Sequence, residues 1–243
     1  MPGSVSVTRD TIADVEPLDN PIWHALTGAQ AEFAQGSGLA LRYEPDVGVF
    51  AAIPDAPSPD AWDALRTLIG PGKTAVMARV SVDPPPEWEH VGGGVGHQYL
   101  APAELGDASP TITLTPLGID DAVEMLALVE RTQPGPFFKR TVGLGGYLGI
   151  RDDESDGALI AMAGERMRPR GYAEISAVCT DAAHRGRGLA TTLVHAVARG
   201  IRARGDTPML HVASDNTNAI ALYERLGFTR RASLQVAVLR APR

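Results

Sequence analysis

A single cysteine, Cys179, leaves this 243-residue chain without an internal disulfide and without a multi-cysteine zinc site. Long hydrophobic runs are also missing. Gly, Pro or a charge interrupts every apolar stretch, so no segment is expected to span a bilayer. The first ten residues, MPGSVSVTRD, lack the basic start and apolar core of a secretory signal, and a cytoplasmic location is expected. His24, His90, His97, His184, His195 and His211 show no HExxH or comparable ligand spacing, and no GxSxG elbow is present. No metal site is therefore expected. Gly72-Lys73-Thr74 resembles the end of a phosphate-binding P-loop. However, Thr67 stands where that pattern needs glycine, and a helix precedes it instead of a strand.

What is present reads as one large globular domain or two small ones, with 44% hydrophobic and 21% charged residues. Acidic residues outnumber basic ones 29 to 22, a net charge of −7, which argues against nucleic acid as the main partner. The imbalance is local. Residues 1–110 hold 5 Lys and Arg against 15 Asp and Glu, whereas residues 111–243 hold 17 against 14. The second half suits an anionic ligand and the first half a cationic one, beside the plainer role of solubilising charge.

Pro and Gly punctuate the first half. Short strands are expected at 39–43 and 47–52, a helix opened by Ser58-Pro59 and closed by Gly70-Pro71-Gly72, and a strand at 74–82. The glycine-rich run 91–96 reads as a loop before a strand at 97–101, and residues 103–110 read as a linker. Beyond it, strands are expected at 111–116, 147–151, 158–167, 172–180 and 209–213, with helices from 120 to 132, 188 to 204 and 218 to 226. Final strands follow from Phe228. Residues 132–146 form a Gly/Pro-interrupted segment, and Gly227 supplies a helix C-terminus.

The chemistry concentrates where a strand turns into a long helix, at Thr180-Asp-Ala-Ala-His-Arg185-Gly186-Arg187-Gly188-Leu189-Ala190. Glycines at such a turn leave the first helical N–H groups pointing outward. With the helix dipole and two arginines they make a receptacle for phosphate oxygens. Arg185-Gly-Arg-Gly188-Leu-Ala190 is similar to the Q/R-x-x-G-x-G/A signature of the GNAT N-acetyltransferase superfamily. Asn216-Thr-Asn-Ala-Ile-Ala-Leu222-Tyr223-Glu-Arg-Leu-Gly227-Phe228 resembles that family's second signature, N-x-x-A-x-x-L-Y-x-x-x-G-F. The resemblance covers roughly residues 111–243, and the order of the two motifs makes it far more specific than either alone.

That resemblance implies an α/β (α+β) fold: a mixed, mostly antiparallel twisted sheet flanked by helices, in residues 111–243. A smaller α/β domain, residues 1–110, would precede it and is readable as a degenerate copy. The implied reaction is direct transfer of the acetyl group of acetyl-CoA, as co-substrate, to an amine acceptor in a ternary complex. Arg185, Gly186, Arg187, Gly188, Leu189 and Ala190 would hold the pyrophosphate. Val178 and Thr180 would meet pantetheine through backbone groups beside a bulge, with Asn216 near the same arm. Tyr223 would protonate the leaving thiolate, unless it is simply a packed aromatic. Glu174, eleven residues before Arg185, is the candidate base or base-orienting group, with His211 as the competitor unless it is a satisfied buried histidine, while Glu165, with the segment 132–146, would line the acceptor side. Cys179 reads as structural.

Two rivals share the motifs: a CoA-binding sensor without turnover, and an acyltransferase for longer acyl-CoA in which Trp88, Phe137 and Phe138 shape the tunnel. The first half would wall the acceptor site or serve packing and dimerisation, with a homodimer among the expectations. No membrane or nucleic-acid partner is expected.

Overall fold

Ser58 and Pro59 open a helix as expected. The Ser58 hydroxyl accepts a hydrogen bond from the Ala61 N–H, and α2 (Pro59–Ile69) ends on Gly70 at φ 96°. The computed structural model describes residues 16–106, 111–152 and 157–243. Before α2 lie a short helix α1 (Pro21–Leu26) and three strands, β1 (Ala34–Ser37), β2 (Ala40–Tyr43) and β3 (Ala51–Ala52). After it come β4 (Thr74–Arg79), β5 (Glu89–Leu100), β6 (Thr115–Leu117), α3 (Ala122–Thr132), β7 (Tyr147–Arg151) and β8 (Leu159–Glu165). The chain finishes with β9 (Tyr172–Thr180), α4 (Leu189–Ala203), β10 (Thr207–Ala213), α5 (Thr217–Arg225) and β11 (Thr229–Arg240). Among the described residues no helix is long and apolar enough to cross a membrane.

Strands β1–β3 form a small antiparallel sheet. The other eight form one sheet in the order β4-β11-β5-β10-β9-β8-β7-β6, antiparallel throughout except between β9 and β10. It is the mixed, mostly antiparallel sheet that the sequence implied. The sheet crosses position 110. β5, from the first half, lies between β11 and β10, and β11, from the second half, lies between β4 and β5. Each half thus inserts one strand into the other's row.

This exchange overturns one local expectation. The glycine-rich run 91–96 is not a loop but part of the 12-residue strand β5, because β11 runs alongside it from Glu89 to Leu100 and supplies the ladder. Gly93, at φ 133°, needs to be glycine there, since a Cβ would lie 2.0 Å from the Val236 carbonyl oxygen. The strand expected at 111–116 is shorter and shifted, at Thr115–Leu117, and the separate final strands are the single β11. Residues 107–110 of the expected linker and 153–156 of the turn after β7 lie outside the described residues.

The sheet has two covered faces. On one, α4 buries Leu193, Val194, Val197 and Ile201 against Ile160, Ala173, Ile175, Leu210 and Val212. Full burial of such side chains is worth about 1.5–3 kcal/mol each. On the other, Leu18 in the turn before α1, Ile22 and Leu26 of α1 and Tyr43 of β2 are buried with Met167, Ala78 and Met209. The first half therefore roofs the face that the second half would otherwise expose.

Candidate active site

β9 and β10 pair over only three positions, Thr207 with Tyr172, Pro208 with Ala173 and Met209 with Glu174. Beyond Glu174 the ladder stops, and β10 continues on β5 alone. β9 is also bulged on its other side. Between the pairs Ser176–Gly164 and Cys179–Met162, two residues, Ala177 and Val178, face the single Ala163. Ala177 takes a left-handed φ of 52°, which a non-glycine residue adopts only at some cost. Local ladder disruption at Val178 leaves backbone groups free to meet a ligand.

Just past the bulge, Gly186 and Gly188 both sit at positive φ, 77° and 76°, and α4 starts at Leu189. The Thr192 N–H is the first to bond back, to the Gly188 carbonyl at 3.1 Å, so the N–H groups of Leu189, Ala190 and Thr191 precede the helical ladder. The Arg185 Nε holds the Thr180 carbonyl at 3.3 Å, which ties the loop to the end of β9.

These groups converge on a cleft of about 700 Å³. It is lined by Val178, Thr180, Arg185, Gly186, Gly188, Leu189, Ala190, Asn216 and Tyr223 among others. Arg187 falls outside it. Its guanidinium bonds the His184 Nδ1 at 2.9 Å and lines a neighbouring hollow with Thr111 and Thr191. Asn216 spends its side-chain oxygen on the α5 cap, accepting from the Ala219 N–H at 3.1 Å. Tyr223, 8% exposed, leans on Phe228 with ring centres 5.8 Å apart. Burial, and behind it the Glu174 charge, pushes its hydroxyl up to about 12, so it keeps its proton at neutral pH.

Glu174 does not line the cleft. It is fully buried, gripped by Arg166 at 2.6 and 2.9 Å, and it accepts from His211 Nδ1 at 2.8 Å. Burial alone would raise its carboxyl, but Arg166 and then His211 outweigh that and hold it well below the usual carboxylate range. A carboxylate so held is a weak proton acceptor and a good orienter of His211. The other imidazole nitrogen meets the Gln98 amide at 2.9 Å, so β5 of the first half helps fix the ring. Glu165 is also committed, to Arg204 at 2.5 Å. Cys179 is among the residues lining the cleft but packs in the core with Met125, Leu128 and Met162, and burial pushes its thiol pKa up.

Thr132, Gln133 and Pro134, at and just after the end of α3 and at the start of the Gly/Pro-interrupted segment 132–146, also line the cleft. Sequence reasoning missed Arg166. With Glu165 paired to Ile175, Arg166 stands opposite Glu174, a cross-strand ion pair visible only once that register is known. The first half repeats the strand–helix–strand order, and Phe50 bridges Val76 in parallel across α2. Its turn, Pro54-Asp55-Ala56-Pro57-Ser58, has no glycine or arginine to receive a phosphate.

A family model described as FR47-like protein matches residues 147–236. The mycothiol acetyltransferase of Saccharopolyspora erythraea is 30% identical over 199 residues, 74% of this chain and 64% of that protein. That of Corynebacterium glutamicum is 47% identical over 57 residues, 23% of this chain and 20% of that protein. The chain thus spans less than two thirds of the length of the curated relatives it matches. Among solved structures, a GCN5-related N-acetyltransferase from Kribbella flavida shares the fold, with a TM-score of 0.61 at 17% identity over 90% of this chain and 93% of that one. A structure from Novosphingobium aromaticivorans, described as an acetyltransferase from the GNAT family, superposes with a TM-score of 0.83 at 37% identity, over 94% of this chain and 100% of that one. With that agreement running the full length of a GNAT-family chain, and both signatures at one cleft, this chain belongs to the GNAT acetyltransferase family.

Proposed function

We propose that the protein is an N-acetyltransferase that carries the acetyl group of acetyl-CoA directly to an amine. The observation that carries this reading is the meeting, in one cleft, of a bulged β9, a glycine-rich helix start and a protonated tyrosine. The residues fit such a ligand. Left-handed glycines open the turn for a pyrophosphate, and unpaired N–H groups at the start of α4 together with Arg185 supply donors and positive charge.

In this reading the gap between β9 and β10 receives pantetheine, and the Val178 N–H binds the thioester carbonyl and then the oxyanion. The amine arrives from the far side of the gap, loses a proton and attacks the thioester carbon. As the tetrahedral intermediate collapses, the C–S bond breaks and Tyr223 gives its proton to the departing sulfur. Glu174 acts as the group that orients His211, not as the proton acceptor itself. Residues 16–106 are a degenerate copy of the same fold that has lost its phosphate turn and roofs the acceptor side.

The test is mass spectrometry of isotope-labelled acetyl-CoA incubated with a pooled peptide and amine library. The pool includes acceptors of the mycothiol kind for which the curated relatives are named. Label transferred by wild type and lost in Tyr223→Phe supports the reading. Acetyl-CoA binding by calorimetry with no transfer to any amine overturns it.

A further inference from the structure

Several arginines of this chain are spent on carboxylates. Arg131 holds Asp181 at 2.9 Å, Arg151 holds Asp121 at 2.9 Å and Arg231 holds Asp19 at 2.6 Å. Arg225, the last residue of α5, differs. It is exposed, it lines the cleft, and its guanidinium has no hydrogen bond or ion pair among the described residues. The neighbouring carboxylate, Glu224, is turned to the Tyr99 hydroxyl at 3.0 Å. One turn back stand Ala221 and Leu222, so no helical ion pair can form. A cation in the last turn suits the helix dipole, which accounts for a basic residue there but not for its place in the cleft.

The cleft around it carries one sign of charge. Arg185, Arg225 and the imidazole of His184 line it, and among the described residues no Asp or Glu does. Arg185 lies on the turn before α4. Arg225 lies on α5, two turns beyond Asn218 on the same stripe, with Leu222 between them, and all three line the cleft. A ligand that reaches from the turn to α5 therefore meets arginines on two separate elements. Arg187 is not one of them, since it is bonded to His184 and lines the neighbouring hollow. Walls of this kind draw in a polyanion.

Coenzyme A is anionic in two places, at its pyrophosphate and at the phosphate monoester on its ribose, which carries about −1.5 to −2 charges at neutral pH. The glycine turn and Arg185 account for the first. Resting on the part of the acetyltransferase reading that seats CoA in this cleft, we infer that Arg225 is a specificity residue that holds the ribose 3′-phosphate. A guanidinium offers a phosphate parallel N–H donors in a planar fork, and no carboxylate competes for this one. A pantetheine arm without that phosphate, whether on dephospho-CoA or on a carrier protein, loses the contact. The thioester chemistry does not involve this phosphate, so Arg225 selects the donor and takes no part in the transfer.

The experiment measures, by calorimetry on the full chain, the affinities of wild type, Arg225→Gln, Arg225→Lys and Arg187→Gln for CoA and for 3′-dephospho-CoA, with melting curves of the free proteins. Wild type should bind dephospho-CoA about 10–30-fold more weakly than CoA. Arg225→Gln should lose a similar factor for CoA and little for dephospho-CoA, and Arg225→Lys should recover part of it. The free variants should melt within about 2 °C of wild type, as expected for an exposed side chain. A gap between the two ligands that survives Arg225→Gln, or that Arg187→Gln abolishes instead, overturns the inference. So does an equal loss for both ligands. If wild type binds CoA in this Arg225-dependent way yet labels no amine from acetyl-CoA, the acetyltransferase reading fails and this assignment stands. If wild type labels an amine but binds CoA no better than its dephospho form, this inference fails alone.

Discussion

Arg166 grips Glu174 at both carboxylate oxygens, at 2.6 and 2.9 Å, where the Glu174 side chain is 1% exposed. The pair stands at the last rung before β9 and β10 part, at the mouth of the gap between them. Phe50 of the first half lies under the guanidinium, 5.2 Å from ring centre to carbon. The roof thus touches the ion pair directly.

Glu174→Gln should therefore damage the fold more than it damages a proton transfer. It leaves the Arg166 charge buried without its counter-charge, a loss of about 3–5 kcal/mol readable in urea unfolding. The carboxyl is held below its ordinary value, so its contribution is complete above about pH 5 and is lost as pH falls through the lowered value. Wild type should lose stability between about pH 5 and 3, and the variant should be flatter there. Equal slopes for the two proteins would refute this account of the pair. In kinetics, an acidic limb of the pH–rate profile that survives the substitution would remove Glu174 from proton transfer.

Tyr223→Phe separates the acid from the packing. The ring keeps its contact with Phe228, so acetyl-CoA affinity by calorimetry should change by less than about threefold, while kcat falls about 10²–10⁴-fold. With the hydroxyl pushed up to about 12, wild type should show no basic loss of kcat from this group below about pH 10. An unchanged kcat in the variant would assign Tyr223 to the core alone.

Much of this was legible in sequence because short-range chemistry carries it. Ser58, Gly188, Asn216 and Gly227 mark helix ends by local hydrogen bonding and backbone freedom, and the two signatures open α4 and span α5, with only β10 between the two helices. The exchange of β5 and β11 was not legible. Its pairs join residues up to 151 apart, as Arg240 with Glu89, and nothing local distinguishes a glycine-rich strand from a glycine-rich loop. Glu174 shows the same limit. Its spacing to Arg185 is in the sequence, but the arginine that disarms it as a base lies across a hairpin whose register is not.

The Asn216→Ala variant tests a division of labour. The amide oxygen caps α5, so its loss should cost about 1 kcal/mol of stability. α5 carries Tyr223, and a frayed first turn should raise the KM for acetyl-CoA only a few-fold. A hundredfold rise in KM with unchanged Tm would mean that the side chain contacts CoA directly.

Gly93→Ala tests the strand exchange itself. The new Cβ would press within 2.0 Å of the Val236 carbonyl, a rigid backbone atom, and φ 133° is hostile to any L side chain. The contact cannot be relieved by a rotamer change, so β5 must shift against β11. A loss of more than about 2 kcal/mol is expected, at the upper end for single substitutions. Gly94→Ala, one residue on, meets nothing within 4 Å and should cost less than about 1 kcal/mol. The contrast between neighbours is the useful quantity, because both lose the same glycine entropy in the unfolded chain. Since β5 also carries Gln98 to His211, slipping it should lower kcat together with stability, whereas a loose tip would leave turnover untouched. Equal melting temperatures for the two variants would mean that the run 91–96 is the loop its composition suggests and that the halves of the molecule are joined elsewhere.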